Sequence, residues 1–148
     1  MNKIDKNLAT KIDQICQEGN ALIREGRLDD AWRRFASALS LIPEDKTKYS
    51  ETTWVVSAIG DVLFMKRMFA ESRDAFEDAV RCPGGLGNVF IHMRLGECHF
   101  ELGDQRRASD ELTRAYLGGG REAFSKEDPK YFQLLERVLK TPKGQDKL

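Results

Sequence analysis

Two histidines, three cysteines and a few adjacent carboxylates are the side chains of this sequence whose types could do chemistry. His92 and His99 are seven residues apart, on one face if the segment is a helix. Two helical turns separate them by about 10 Å, too far to share a metal ion with bonds of about 2 Å. Cys98 lies between them without a matching ligand. A nucleophilic cysteine needs a depressed pKa and a base beside it, and Cys16, Cys82 and Cys98 sit in no nucleophile motif. Asp29-Asp30, Glu44-Asp45 and Glu127-Asp128 fall at expected helix starts or in loops, where the helix dipole and water account for them. The run Cys82-Pro83-Gly84-Gly85-Leu86-Gly87-Asn88 is rich in glycine. It lacks the Lys-Ser/Thr of a phosphate loop and follows a helix rather than a strand, so it reads as a connector. Gly118-Gly119-Gly120 reads the same way, although either loop exposes backbone amides to a partner's edge. The sequence therefore predicts no enzyme, no metal and no cofactor.

What must position the remaining residues follows from composition and spacing. The chain has 148 residues, 24 basic and 24 acidic, and is 41% hydrophobic. That is one modest globular domain with a sizeable core. Zero net charge, with no basic cluster, argues against nucleic acid. No run approaches the roughly 18 apolar residues of a membrane span. Met1-Asn2-Lys3-Ile4-Asp5-Lys6 mixes charges where a signal peptide would be apolar. An odd number of cysteines without Cys-x-x-Cys favours a reducing compartment. A cytoplasmic location is the expectation.

Internal repetition decides the architecture. Gly19, Gly60 and Gly96 each precede a small residue by twelve: Ala31, Ser72 and Ala108. Four residues on stand Phe35, Phe76 and Leu112, and three further Ala38, Ala79 and Ala115. This is the spacing of a helical hairpin whose helices cross where both carry small residues, with bulky neighbours filling the flanks. Gly26 and Gly103 fall at the turn, where a left-handed residue ends a helix. Asp29 and Asp104 are expected caps for the next helix, and Arg67 takes the turn position in the second copy. Ile4, Leu8, Ile12 and Ile15 extend the first helix backwards. Asp128-Pro129 starts a last helix whose Tyr131, Phe132, Leu134, Leu135, Val138 and Leu139 form an apolar stripe.

The three phased copies resemble the tetratricopeptide repeat (TPR) family over about residues 12–120. The resemblance implies an all-α, right-handed TPR solenoid. Its three helix-turn-helix hairpins span about 12–45, 53–86 and 89–122, with an amphipathic C-terminal capping helix over 129–140. Residues 1–140 form one domain in this reading, and 141–148 a tail. Glycine-to-glycine distances of 41 and 36 residues, against a 34-residue unit, put insertions at Glu44–Ser50 and around Pro83–Asn88. His92 and His99 take core positions of the third copy.

In this family the first helix of each hairpin lines the ligand face. The positions so implied are Asn20, Ile23 and Arg24 in the first copy, beside Asp13, Cys16 and Gln17. The second contributes Trp54, Ser57, Asp61, Phe64 and Met65, beside Ala58. The third contributes Phe90, Met93, Arg94, Glu97, Phe100 and Glu101. Helical period points to a similar set. Between Trp54 and Met65, Val56, Ile59, Gly60 and Leu63 already fill a core stripe, yet Trp54, Phe64 and Met65 project elsewhere. Phe90, Met93 and Phe100 do likewise beside Leu95 and Gly96. A helix apolar all round is buried all round. The second burial is expected from outside the array, by a partner; cover by a second copy of the chain, or by its own N-terminal extension or long loop, is the alternative.

The subgroup that grips the carboxylate tail of heat-shock chaperones matches only at Asn20 and Arg94. Cys16, Ala58 and Phe90 stand at its other positions, so the face is greasy rather than cationic. The expected function is to hold another protein or peptide on an apolar groove, with no nucleic acid or membrane partner. A bacterial toxin-neutralising immunity protein or adaptor is the first reading. The alternatives are a TPR-type chaperone of type III secretion translocators, or a self-associating scaffold or homodimer using Tyr131, Phe132 and Leu135.

Overall fold

In the computed structural model, which describes residues 3–139, bulky side chains of second helices sit directly on the glycines of first helices. A Cβ placed on Gly19 would lie 2.7 Å from the Phe35 ring. On Gly60 it would lie 2.8 Å from the ring of Phe76, and on Gly96 2.6 Å from Leu112. These distances are shorter than any van der Waals contact, so the bulky side chain, more than the small residue twelve on, demands the glycine. Phe35, Phe76 and Leu112 are completely buried, as are Ala31, Ser72, Ala108, Ala38, Ala79 and Ala115. Ser72 adds a bond of its own, its Oγ donating to the Gly60 carbonyl at 2.7 Å.

Seven α-helices and no strand are found among the described residues. Contacts group the chain into two compact units, Met1–Leu86 and Gly87–Leu148, where the sequence reading treats it as one domain. The boundary falls in the glycine-rich connector.

The first unit contains α1 (Lys6–Arg24), α2 (Leu28–Leu41), α3 (Ser50–Met65) and α4 (Phe69–Val80). Asp5 caps α1, its carboxylate accepting from the Asn7 and Leu8 amides at 3.2 and 3.3 Å. Ile12 is fully buried, and Ile4, Leu8 and Ile15 pack on the same cluster, as the backward extension of α1 requires. Gly26 closes the first hairpin at φ 76°, and Arg67 closes the second at φ 62°, a conformation that strains a residue with a Cβ. The 44–50 insertion is not a bare loop. It holds a 3₁₀ turn over Lys46–Lys48, pinned by the Thr52 hydroxyl donating to the Lys46 carbonyl at 2.6 Å. Asp29 departs from its expected role. Arg27 occupies the cap position without a side-chain capping bond, while Asp29, one residue into α2, pairs with Lys66 across the hairpins.

The second unit contains α5 (Val89–Glu101), α6 (Gln105–Gly119), a 3₁₀ turn over Arg121–Phe124 and α7 (Pro129–Leu139). Asn88 caps α5 through Ile91 N at 3.1 Å, and Asp104 caps α6 through Arg107 N at 3.1 Å. Gly103, at φ 86°, makes the turn between them. Asp128 accepts from Lys130 N at 3.0 Å at the start of α7. Tyr131, Phe132, Leu134 and Leu135 of α7 are buried in one cluster with Leu112, Ala115 and Phe124. The last residue of the expected capping helix, and the tail 141–148, lie outside the described residues.

Gly60 and Phe76 are therefore one packing unit. Gly60→Ala is expected to destabilise the chain by about 1–3 kcal/mol through overpacking. In the Phe76→Ala background the same change should cost nothing further, because the ring it meets is gone. A double-mutant cycle by urea unfolding measures this coupling.

Candidate functional site

On the first unit, the expected ligand positions divide by exposure. Asn20 and Arg24 of α1 are exposed, and Ile23 is half-buried against the core. On α3, Trp54 is 48% exposed and Met65 41%. Ser57 is buried, its hydroxyl donating to the Thr53 carbonyl at 2.6 Å, so it offers a ligand nothing. Asp61 and Phe64 are partly buried, and Phe64 packs edge-on to Phe69 with centroids 5.3 Å apart. The all-round apolar character of α3 has an internal cause. Val55 and Val62 are fully buried in one cluster with Phe35, Ala38 and Ile42 of the preceding hairpin. The second burial that the sequence reading assigns to a partner is thus supplied by α2. Trp54 and Met65 remain for solvent.

Sequence reasoning misses another apolar surface of this unit. Trp32, 41% exposed, lines a cavity of about 470 Å³ with Ile59, Leu63 and Met68, beside the Asp29–Lys66 pair. The available signal was a tryptophan on the otherwise charged outer face of α2.

On the second unit the chain's own C-terminal helix does most of the covering. Met93 is 3% exposed and belongs to the cluster that contains Tyr131, Phe132 and Leu135. Phe100 packs edge-on against Tyr131 at 5.2 Å between centroids. The Tyr131 hydroxyl donates to Glu101 Oε2 at 2.6 Å, and Lys130 Nζ reaches the same oxygen at 2.7 Å. The expectation of an uncovered face is therefore corrected here. Met93, Glu97, Phe100 and Glu101 are held by α7 and the segment before it. Phe90, 44% exposed with the Arg94 guanidinium 5.2 Å from its ring centroid, stays accessible.

Glu97 is the most buried charge-bearing side chain of the described structure, with no exposed surface. Arg94 Nη1 donates to Glu97 Oε1 at 2.7 Å and to Glu127 Oε1 at 2.8 Å. Glu97 Oε2 receives no hydrogen bond, as a carboxylate oxygen would need to. A proton on the carboxyl, shared toward Glu127, resolves this. Burial first, and Glu127 second, push the Glu97 carboxyl up to about 9 against the pull of Arg94. Burial thus favours the protonated, uncharged carboxyl in the folded chain. Burial, then the bond to Glu101, likewise raises the Tyr131 phenol well above its ordinary range.

The residues considered for chemistry are structural. His92 is buried; its Nε2 accepts from Gly87 N at 2.9 Å, which places the proton on Nδ1, 2.7 Å from Glu111 Oε1. Both ring nitrogens are occupied in tying the connector to α6. Burial, with Asp13 adding, pushes the Cys16 thiol up to about 11, and burial also raises Cys82. Those thiols are poor nucleophiles at neutral pH. Among the described residues no cluster of three or more His, Cys, Asp or Glu could hold a metal. Nor is any described helix long and apolar enough to cross a membrane.

No protein-family model matches the sequence, and no curated protein matches it. Solved structures do match. The type III secretion chaperone SycD of Yersinia enterocolitica, in complex with a peptide of the translocator YopD, superposes with a TM-score of 0.70. Identity is 14%, over 93% of this chain and 96% of that one. The first TPR of Spaghetti (RPAP3), bound to the HSP90 peptide SRMEEVD, gives 0.69 at 19% identity, over 85% and 96%. PcrH of Pseudomonas aeruginosa, in complex with the chaperone-binding region of PopB, gives 0.62 at 16%, over 93% and 97%. The fold is the tetratricopeptide repeat. In TPR terms, the glycine–bulky pairs are those of three repeats, and α7 caps the third.

Because the folded chain holds a proton on Glu97 that the unfolded chain releases above the ordinary carboxylate range, this group's contribution to stability falls as pH rises toward about 9. Glu97→Gln keeps a neutral donor and acceptor in place and removes that linkage. The variant is expected to equal the parent near pH 5 and to exceed it by a margin that widens from pH 7 to pH 9. Melting temperatures across that range test the sign.

Proposed function

We propose that this TPR chain holds a polypeptide segment through the first-helix faces of its repeats. The observation that carries the reading is the exposure of Trp54 and Met65 on α3 and of Phe90 on α5, all three on first helices. Covering the roughly half of each side chain that is still exposed is worth about 0.7–1.5 kcal/mol apiece. Asn20 and Arg24 on α1 supply exposed polar groups for the ligand's backbone and termini. Ile23, Asp61 and Phe64 contribute edges rather than full faces. The peptides held by SycD, by the RPAP3 repeat and by PcrH support the reading by analogy of fold.

For the narrower role we favour a chaperone of secreted, apolar segments over a toxin-neutralising immunity protein. Two of the similar structures are SycD and PcrH, and each is covered almost end to end. The 44–50 insertion and the aromatic C-terminal helix do not prevent that coverage. The carboxylate-clamp role remains disfavoured, since Phe90 and Ala58 replace polar grips and Arg94 is committed to Glu97 and Glu127.

The test uses the full chain and fluorescently labelled YopD and PopB chaperone-binding peptides. Trp54→Ala is expected to weaken capture at least tenfold while moving the melting temperature by less than about 2 °C, as befits a half-exposed residue. Phe100→Ala is expected to lower the melting temperature by several degrees, since it removes the α5 ring that packs against Tyr131 of the capping helix. Undiminished capture by Trp54→Ala would refute the surface assignment.

A further inference from the structure

The second unit carries a slot unrelated to the first-helix faces. Phe124, Pro129 and Phe132 form an aromatic and apolar floor, and Glu122, Glu127 and Glu136 stand around it, in a cavity of about 560 Å³. The Arg121 guanidinium lies 4.7 Å from the centre of the Phe132 ring and closes one side. With Glu127 already paired to Arg94, Glu122 and Glu136 stand with Arg121 as the remaining charges of the lining. Among the described residues, ion pairs engage only Glu127 of the three carboxylates. Glu122 is exposed and Glu136 partly so, which leaves both available to a ligand.

We propose that this slot docks a basic segment of a partner protein, with lysine or arginine side chains alternating with apolar ones. The chemistry selects that occupant. A long cationic side chain lays its methylenes on aromatic rings and carries its head outward to carboxylates, and the slot offers both at once. The carboxylates repel the phosphates of nucleic acid and of anionic membranes. An uncharged apolar helix would strand them beside a low-dielectric contact at a desolvation cost. Ser125 and Gln133, also in the lining, provide hydrogen bonds for a peptide backbone. The contact is mostly electrostatic at its rim, so it is salt-sensitive and fast.

The experiment is fluorescence anisotropy of the full chain with a labelled nine-residue peptide alternating lysine and leucine. An equally long peptide alternating glutamate and leucine is the control. The lysine peptide is expected to bind, to weaken at least tenfold between 0.05 and 0.5 M NaCl, and to weaken at least tenfold in the Glu122→Gln/Glu136→Gln variant. Both substitutions are at accessible, isosteric positions, and an unchanged melting temperature confirms the fold. Trp54→Ala should leave this binding intact, which separates it from the first-helix surface. Equal binding of both peptides, or binding unaffected by the double variant, would overturn the assignment.

Discussion

The seating of a bulky side chain on a glycine Cα, made three times, is the constraint on which the rest of this molecule depends. It brings each pair of helices closer than two side chains would allow. It therefore fixes which face of the first helix is turned inward and, by elimination, which is left over. At Gly19, Gly60 and Gly96 the clearance for a Cβ is 2.6–2.8 Å, so the register of each hairpin is nearly all-or-none. A helix rotated by one residue would put a side chain where only a hydrogen fits. The exposure of Trp54 and Phe90 follows from that register rather than from any feature of their own neighbourhoods.

What differs between the two units is the covering of the leftover face. In the first unit it stays open at Trp54 and Met65. In the second, α7 buries Met93 and closes over Phe100 and Glu101 with Tyr131 and Lys130. The closure is partly polar, and one consequence is a carboxyl at Glu97 that must stay protonated to be buried without cost. Arg94, which the sequence offers as a ligand contact, serves instead as the bridge between Glu97 and Glu127.

The hairpins were legible in the sequence because their contacts recur at fixed spacing. Gly60, Ser72, Phe76 and Ala79 announce the same geometry as their counterparts in the other copies. Turn residues Gly26 and Gly103 were equally plain, and Arg67 could be placed at φ > 0 by its phase alone. The cap was legible as an amphipathic helix but not in its reach. Contacts of the cap and of the turn before it with α5 join Arg94 to Glu127 and Phe100 to Tyr131, pairs about thirty residues apart that link the third repeat to a segment outside any repeat. No period reports such a pair. Ser57 misled for a local reason, since its hydroxyl turns back to the Thr53 carbonyl. The apolar girth of α3 misled for a topological one: a helix inside a stack has two neighbours of its own chain, and Val55 and Val62 are spent on the second.

Solvent paramagnetic relaxation of methionine methyl groups addresses this asymmetry most directly. With a soluble gadolinium chelate in the buffer, the methyl of Met65 should be strongly broadened and that of Met93 nearly untouched, because one is 41% exposed and the other 3%. Comparable broadening of the two would mean that α7 does not cover the third repeat in solution. Protection of both would mean that the surface at Met65 is already occupied, and the account of an open binding face would fail.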